Sequence, residues 1–137
     1  MGTLLAVSLI HTCYRILEID RSVEFYEALG FQEMRRMPIG DEATNVFMNL
    51  PDDGDEPRLE LTYNHGRTEP YELGTGYGHI AITAGDLDAT LERLAALGIE
   101  PERPPYTVRE GGSRLCFVRD PDGYRIELIE RSISQGG

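Results

Sequence analysis

Two histidines and two glutamates occur at matching places in the two halves of this 137-residue chain. His11 precedes Glu60 by 49 residues, and His79 precedes Glu127 by 48 residues. Each lies in a short apolar stretch typical of a strand, where alternate side chains share one face. A carboxylate in such a stretch is costly to bury without a partner. Two imidazoles and two carboxylates that converge would suit a first-row divalent cation such as nickel, cobalt or zinc.

A simpler interpretation applies to each residue taken alone. A single strand histidine is more often a hydrogen-bonded core residue, and a glutamate at a sheet edge often pairs with an arginine. The repetition favours the metal site, because it supplies both ligand types at equivalent places in two modules. The sequence leaves open whether such a site forms within one chain or between two subunits.

The surrounding sequence is also repeated. The stretch "HTCYRILEIDRSVEFYEALGF" begins at His11 and "HIAITAGDLDATLERLAALGI" begins at His79, and in each the histidine precedes a glycine by 19 residues. Farther along, "RLEL" at 58–61 matches "RIEL" at 125–128. This duplication predicts an α+β fold of two tandem βαβββ modules, 1–72 and 73–137, joined through "ELGTGYG". Together the modules would contain eight strands and two main helices.

Periodicity and turn residues place the elements of each module. The segments "SLIHTCYRIL" and "YGHIAIT" are predicted to form the opening strands. Asp20 and either Asp86 or Asp88 are predicted N-caps, and Gly30 and Gly98 are predicted left-handed stops. The predicted apolar stripes are Val23, Tyr26 and Leu29 in the first helix and Leu87, Leu91, Leu94 and Leu97 in the second. The remaining strands are predicted at 31–38, 43–50, 58–64, 100–108, 113–119 and 124–130.

The composition excludes some classes of partner. The chain has 13 basic residues, all of them arginine, and 24 acidic residues, for a formal net charge of -11. Such a charge disfavours binding to nucleic acids and to anionic membranes. No stretch approaches transmembrane length, and "LLAVSLI" near the start lacks the features of a signal peptide, so it is expected to lead into the first strand. Two cysteines without an export signal predict free thiols and a cytoplasmic location.

Two further residues near the candidate ligands are not predicted to bind the metal. Cys13 shares a face with His11, but the other half has Ala81 at its place, so Cys13 is predicted to line a pocket. His65, the third histidine, falls on the face opposite Glu60 beside Gly66 and is predicted to lie in a turn.

Four stretches together resemble a known family. "LIHTCYRILEIDRSVEFYEALGF", "LELTYNHG", "YELGTGYGHIAI" and "FVRDPDGYRIELIE" are closely similar to glyoxalase I, the lactoylglutathione lyases of the vicinal oxygen chelate superfamily. The resemblance extends from about residue 8 to residue 131. It implies isomerisation of the methylglyoxal–glutathione hemithioacetal to S-lactoylglutathione through an enediolate, which detoxifies methylglyoxal.

The resemblance also implies roles for single residues. It implies a homodimer in which His11 and Glu60 of one subunit meet His79 and Glu127 of the other around one divalent metal. Nickel or cobalt is preferred in the compact bacterial enzymes, and zinc is possible. Glu127 would be the catalytic base, with Glu60 as the second candidate. The residues implied to bind substrate are Arg15, Asn64 and, less securely aligned, Arg109.

Departures from the family pattern leave the thiol open. His65 stands where the family usually has tryptophan, and Thr75 stands where some members have an arginine. The thiol would therefore be glutathione or another low-molecular-weight thiol. The alternatives of the same fold are a dioxygenase or thiol transferase, which typically use two histidines and one glutamate, and a non-catalytic ligand-binding module.

Overall fold

The computed structural model describes residues 5–131, which form two helices, seven strands and one short 3-10 turn. The first half contributes β1 (Thr12–Ile16), α1 (Ile19–Leu29), β2 (Gln32–Ile39), β3 (Ala43–Asn49), the 3-10 turn Pro51–Asp53 and β4 (Leu59–Asn64). The second half contributes β5 (His79–Ala84), α2 (Leu87–Ala95), β6 (Leu115–Arg119) and β7 (Arg125–Glu130). The order of elements confirms the predicted α+β class.

Each half forms its own sheet with the same connectivity. The first sheet has the order β1-β4-β3-β2, and the second has the order β5-β7-β6. In both sheets the opening strand pairs in parallel with the closing strand, while the other pairs are antiparallel. The two modules share one core, since its buried side chains come from both halves. Its largest fully buried members include Tyr26, Phe25, Ile16, Met48, Leu59, Leu61, Leu87, Leu94, Ile126 and Leu128.

The exact module boundary stays a prediction. The segment 65–78 between β4 and β5 contains no helix or strand, so the proposed break after residue 72 falls inside it. The outer ends of the predicted modules, 1–4 and 132–137, lie outside the described residues.

The prediction of an eighth strand at 100–108 is wrong. In that stretch the only ladder contact among the described residues is an isolated antiparallel bridge between Tyr106 and Leu115. Pro101, Pro104 and Pro105 lack the backbone N–H that a strand ladder needs, so the segment follows β6 only at single points. Its counterpart in the first module, the proline-poor β2, pairs with β3 along almost its whole length.

The first strand also begins later than "SLIHTCYRIL" predicts. Strand β1 starts at Thr12, and residues 5–10 are exposed and form no strand. Arg58 donates to the backbone oxygens of Leu9 and Ile10, which holds the chain just ahead of His11.

The helix ends confirm some predicted caps and correct others. Asp86 caps α2, since its carboxylate accepts the N–H of Ala89 at 2.9 Å. Asp20 is not a cap: α1 starts after Glu18, whose side chain makes no capping bond, and Asp20 lies in the first turn. Gly30 ends α1 with a left-handed φ of 113°. Gly98 is also left-handed, at φ 80°, but lies beyond the end of α2 at Ala95. Leu97, predicted in the apolar stripe, is exposed.

Asp120, in the turn between β6 and β7, joins the two modules. Its side chain is 4% exposed and accepts the hydroxyl of Tyr26 in α1 at 2.7 Å. It also accepts the backbone N–H groups of Asp122 and Tyr124, both at 2.9 Å. Burial raises the pKa of Asp120 to about 6, because the loss of solvation outweighs these hydrogen bonds.

We expect the Asp120→Asn variant to lose part of the pH dependence of folding. A carboxyl whose pKa is raised on folding stabilises the protein fully below its unfolded pKa, and this contribution is lost as pH rises through about 6. The shift corresponds to about 3 kcal/mol between about pH 4 and about pH 7. Urea unfolding at both pH values and one protein concentration measures it, with the exposed Asp52→Asn as control. An unchanged pH dependence in Asp120→Asn would contradict this assignment.

No helix within residues 5–131 is long and apolar enough to cross a lipid bilayer.

Candidate functional site

The two predicted histidine–glutamate pairs form with nearly the same geometry. Nε2 of His11 lies 3.1 Å from Oε2 of Glu60, and Nε2 of His79 lies 3.0 Å from Oε1 of Glu127. The side-chain exposures match as well, at 31% and 16% in the first pair and 33% and 17% in the second. The duplication in the sequence is therefore a duplication of side-chain geometry.

The strand register explains the common geometry. In the parallel pair β1–β4, Cys13 stands opposite Glu60, and in β5–β7 Ala81 stands opposite Glu127. Each histidine comes two residues earlier and so projects from the same face as the residue opposite the glutamate. The apolar residues beside Glu60, Leu59 and Leu61, point into the core. Both pairs therefore lie on the open face of their sheets, away from the core.

Two phenylalanines that the sequence reasoning missed support the histidines. Phe47 in β3 stands opposite Glu60, and Phe117 in β6 stands opposite Glu127. The ring of His11 meets Phe47 edge-on at 6.0 Å between centroids, and that of His79 meets Phe117 at 4.9 Å. Such edge-to-face contacts orient the imidazole rings.

The guanidinium group of an arginine also stacks on the ring of each of these phenylalanines. Arg35 lies 4.8 Å over the ring of Phe47, and Arg125 lies 4.0 Å over that of Phe117. The two arginines lie in strands that are not equivalent in the two modules, so the sequence repeat does not account for both contacts. The sequence did contain a signal, because a phenylalanine occurs in the strand that precedes each strand with a candidate glutamate. Its position opposite the glutamate depends on the strand register, which loops of different length set in the two modules.

The donor atoms fit a divalent metal ion. Two ligand atoms each about 2.1 Å from one ion, and at a right angle, lie about 3.0 Å apart, which matches the distances in both pairs. Imidazole nitrogen and carboxylate oxygen suit nickel, cobalt and zinc. The same distances also suit a direct hydrogen bond when no metal is bound. Nδ1 of His11 is buried and has no hydrogen-bond partner among the described residues.

The four groups do not converge within one chain. Among residues 5–131 there is no cluster of three or more His, Cys, Asp or Glu side chains able to hold a metal ion. His11 and Glu60 belong to the first sheet, while His79 and Glu127 belong to the second. A single chain therefore presents two half-sites, each with one nitrogen and one oxygen donor.

The open face of the first sheet carries further polar side chains beyond its half-site. Arg15 is exposed, and Nδ2 of Asn64 donates to the hydroxyl of Tyr71 at 2.9 Å. Sγ of Cys13 lies 3.3 Å from Oγ1 of Thr62 and lines a cleft of about 320 Å³, as predicted. Burial raises the pKa of the Cys13 thiol, which disfavours the thiolate that a metal would need.

The second sheet differs at the equivalent positions. Two residues after Glu60 comes Thr62, whose hydroxyl donates to Asn45 at 2.9 Å, whereas two residues after Glu127 comes the aliphatic Ile129. The place of Arg15 relative to its histidine is taken by Thr83. The half-sites therefore share their candidate ligand types but not their surroundings, and only the first strand face adds a threonine hydroxyl and an amide beyond its glutamate.

The other two predicted residues lie away from the half-sites' strands. Arg109 is exposed in the loop before β6, where its backbone oxygen accepts the N–H of Gly112 at 3.0 Å, and its role stays a prediction. His65 lies in the turn after β4, as predicted, with its ring bonded to Thr44 at 2.9 Å and to the backbone oxygen of Asp41 at 3.0 Å.

Comparison with known proteins gives a consistent result. The sequence-family model for the glyoxalase/bleomycin resistance protein/dioxygenase superfamily matches residues 8–128 of this chain. A lactoylglutathione lyase from Haemophilus influenzae is 38% identical over 133 residues, which cover 96% of this chain and 98% of that protein. A lactoylglutathione lyase from Arabidopsis thaliana is 40% identical over 124 residues, or 89% of this chain. The chain spans only 44% of the length of this plant relative.

The fold comparison agrees with the sequence comparison. The trypanothione-dependent glyoxalase I of Leishmania major superimposes with a TM-score of 0.76 at 35% identity, covering 91% of this chain and 87% of that one.

Proposed function

The chain belongs to the glyoxalase/bleomycin resistance protein/dioxygenase superfamily, and within it we propose that the chain is a lactoylglutathione lyase. The proposed reaction isomerises the hemithioacetal of methylglyoxal and glutathione to S-lactoylglutathione and so detoxifies methylglyoxal. The single observation that carries the proposal is the pair of half-sites, because the geometry of His11 with Glu60 is repeated by His79 with Glu127 to within 0.1 Å. Relatives that bear this name match nearly the whole chain, which supports it.

We propose that His11, Glu60, His79 and Glu127 hold one divalent cation, with nickel or cobalt preferred and zinc possible. When bound, the cation acts as a Lewis acid that favours negative charge on the substrate oxygens. Two carboxylates balance its charge, which reduces the cost of placing all the groups in a closed site. The spacing within each half-site supports this assignment.

Two copies of the chain would complete the site. We propose a homodimer in which the open face of the first sheet of one subunit meets the open face of the second sheet of its partner. The side chains of each half-site are partly exposed in the single chain, and the two half-sites lie on different sheets. A two-fold arrangement would pair each half-site with its complement and form two equivalent sites.

The carboxylates would move the proton. The reaction removes a proton from the carbon that bears oxygen and sulfur and returns one to the neighbouring carbon. We propose that Glu127 is this base and Glu60 the second candidate. Exclusion of water by the facing sheet would keep the abstracted proton on the carboxylate for its return.

The polar flank of the first half-site would bind the thiol peptide. Glutathione carries carboxylates and amides. Arg15 and Asn64 provide a cation and a neutral hydrogen-bonding group on the strands that carry His11 and Glu60. Arg109 is a further candidate for a substrate carboxylate. These groups would supply local attraction for an anion in a chain of net charge -11. We propose glutathione as the thiol, with another low-molecular-weight thiol as the alternative.

Metal removal and replacement tests the function. We expect the metal-free protein to be inactive. Nickel or cobalt should restore thioester formation from methylglyoxal and glutathione, and the absorbance of the thioester measures this activity. Zinc and iron serve as comparisons, and iron-dependent oxygen uptake would favour a dioxygenase instead. If no metal restores activity with glutathione or with other low-molecular-weight thiols, the lyase assignment is wrong.

We also propose a cytoplasmic location. Cys13 and Cys116 are both free thiols, which a reducing compartment preserves.

A further inference from the structure

The loop after β4 folds back onto the end of that strand. The backbone N–H of Arg67 donates to the backbone oxygen of Asn64 at 3.1 Å, and Gly66 supplies the positive φ of 86° that this turn requires. The guanidinium of Arg67 then donates to the backbone oxygens of Glu69 at 2.8 Å and of Pro70 at 3.3 Å. One side chain therefore fixes the course of the loop.

This course brings Tyr71 to the side chain of Asn64. The Arg67 guanidinium lies 4.1 Å over the ring of Tyr71, and the hydroxyl of Tyr71 accepts Nδ2 of Asn64 at 2.9 Å. Tyr71 is half-buried, and its ring is held on one face by the cation. Asn64 is the last residue of β4, and the bond to Tyr71 is the only side-chain hydrogen bond that Asn64 makes among the described residues.

We infer that Tyr71, held by Arg67, is a positioning residue that fixes the Asn64 amide for the polar end of the thiol peptide. An amide that is already oriented loses less conformational freedom when substrate binds, so the gain appears in affinity. Among the described residues, no hydrogen bond joins Tyr71 to His11 or Glu60, so the rate of the chemical step should not depend on Tyr71. The inference rests on the proposed function, because it assigns Asn64 to thiol binding.

The test compares Tyr71→Phe with the wild-type metal-loaded protein. The variant keeps the ring and the stacked guanidinium and removes only the hydroxyl. We expect KM for the glutathione hemithioacetal to rise about 3- to 10-fold, the effect of one hydrogen bond, with kcat changed less than about 2-fold. The affinity for S-methylglutathione, which cannot react, should fall by the same factor when it is measured by calorimetry.

Tyr106→Phe is the matched control. Tyr106 is also stacked under an arginine, with the guanidinium of Arg103 3.7 Å from its ring centroid, and no hydrogen bond from its hydroxyl to the described residues is present. This variant should keep the wild-type KM. Thermal unfolding of both variants checks that the fold is retained.

A double variant separates positioning from direct contact. If Tyr71 acts through Asn64, then Tyr71→Phe should have no further effect in an Asn64→Ala background. An equal loss in both backgrounds would mean that the hydroxyl touches substrate, and an unchanged KM in Tyr71→Phe would mean that it has no part in binding. Either result overturns the inference while leaving an active wild-type lyase, whereas a wild-type protein inactive with every thiol would overturn the proposed function itself.

Discussion

Replacing Glu127 with glutamine is expected to lower kcat by about 10²–10⁴-fold, the usual contribution of a positioned general base. Glutamine keeps the shape of the side chain and one oxygen donor, but it cannot accept and return a proton at neutral pH. We therefore expect metal content to fall much less than turnover. Steady-state kinetics together with the metal content of the purified protein measure both effects.

Glu60→Gln is the matched control for this prediction. The two glutamates have nearly equal exposure and nearly equal distances to their histidines, so they differ chiefly in their neighbours. Glu60 lies beside the polar Thr62, on the flank proposed for the thiol, while Glu127 lies beside Ile129. We expect the loss in Glu60→Gln to be smaller. A larger loss there would reverse the assignment of the base, and equal small losses would exclude both carboxylates.

The sequence predicted the half-sites because their formation depends on few variables. Alternation along a strand decides which residues share a face, and the repeated spacing requires the same pairing in both modules. Once β1 pairs with β4 in parallel with Cys13 opposite Glu60, His11 and Glu60 lie on one face, and the second module has the same register. The turns and caps that depend on a single residue type, such as Gly30 and Asp86, were also predictable.

Other features depend on contacts between elements. Phe47 and Phe117 reach the histidines only through the register of the antiparallel pairs β3–β4 and β6–β7, which the connecting loops determine. Whether the two histidine–glutamate pairs meet within one chain depends on how the modules pack, and a repeat does not fix that packing. The missing eighth strand is different, because Pro101, Pro104 and Pro105 were visible in the sequence and outweigh its apolar residues.

Co-expression of two inactive variants is expected to restore activity if two chains share each site. A His11→Ala chain keeps an intact second half-site, and a His79→Ala chain keeps an intact first half-site. In the dimer of one with the other, one of the two sites receives all four ligands and the other site lacks both histidines. We expect either homodimer to be nearly inactive and the purified heterodimer to have about half of the wild-type activity.

Two different affinity tags on the chains allow the heterodimer to be isolated, so failure of the chains to associate is detected directly. The matched control pairs His11→Ala with Glu60→Ala. Each removes one proposed metal-binding side chain of the first half-site, so this heterodimer contains no intact site. It should remain as inactive as its parents. Recovery in the first heterodimer but not in the second requires that one chain supply His11 and Glu60 while the other supplies His79. A stable, metal-loaded first heterodimer without activity would contradict a site shared between two chains.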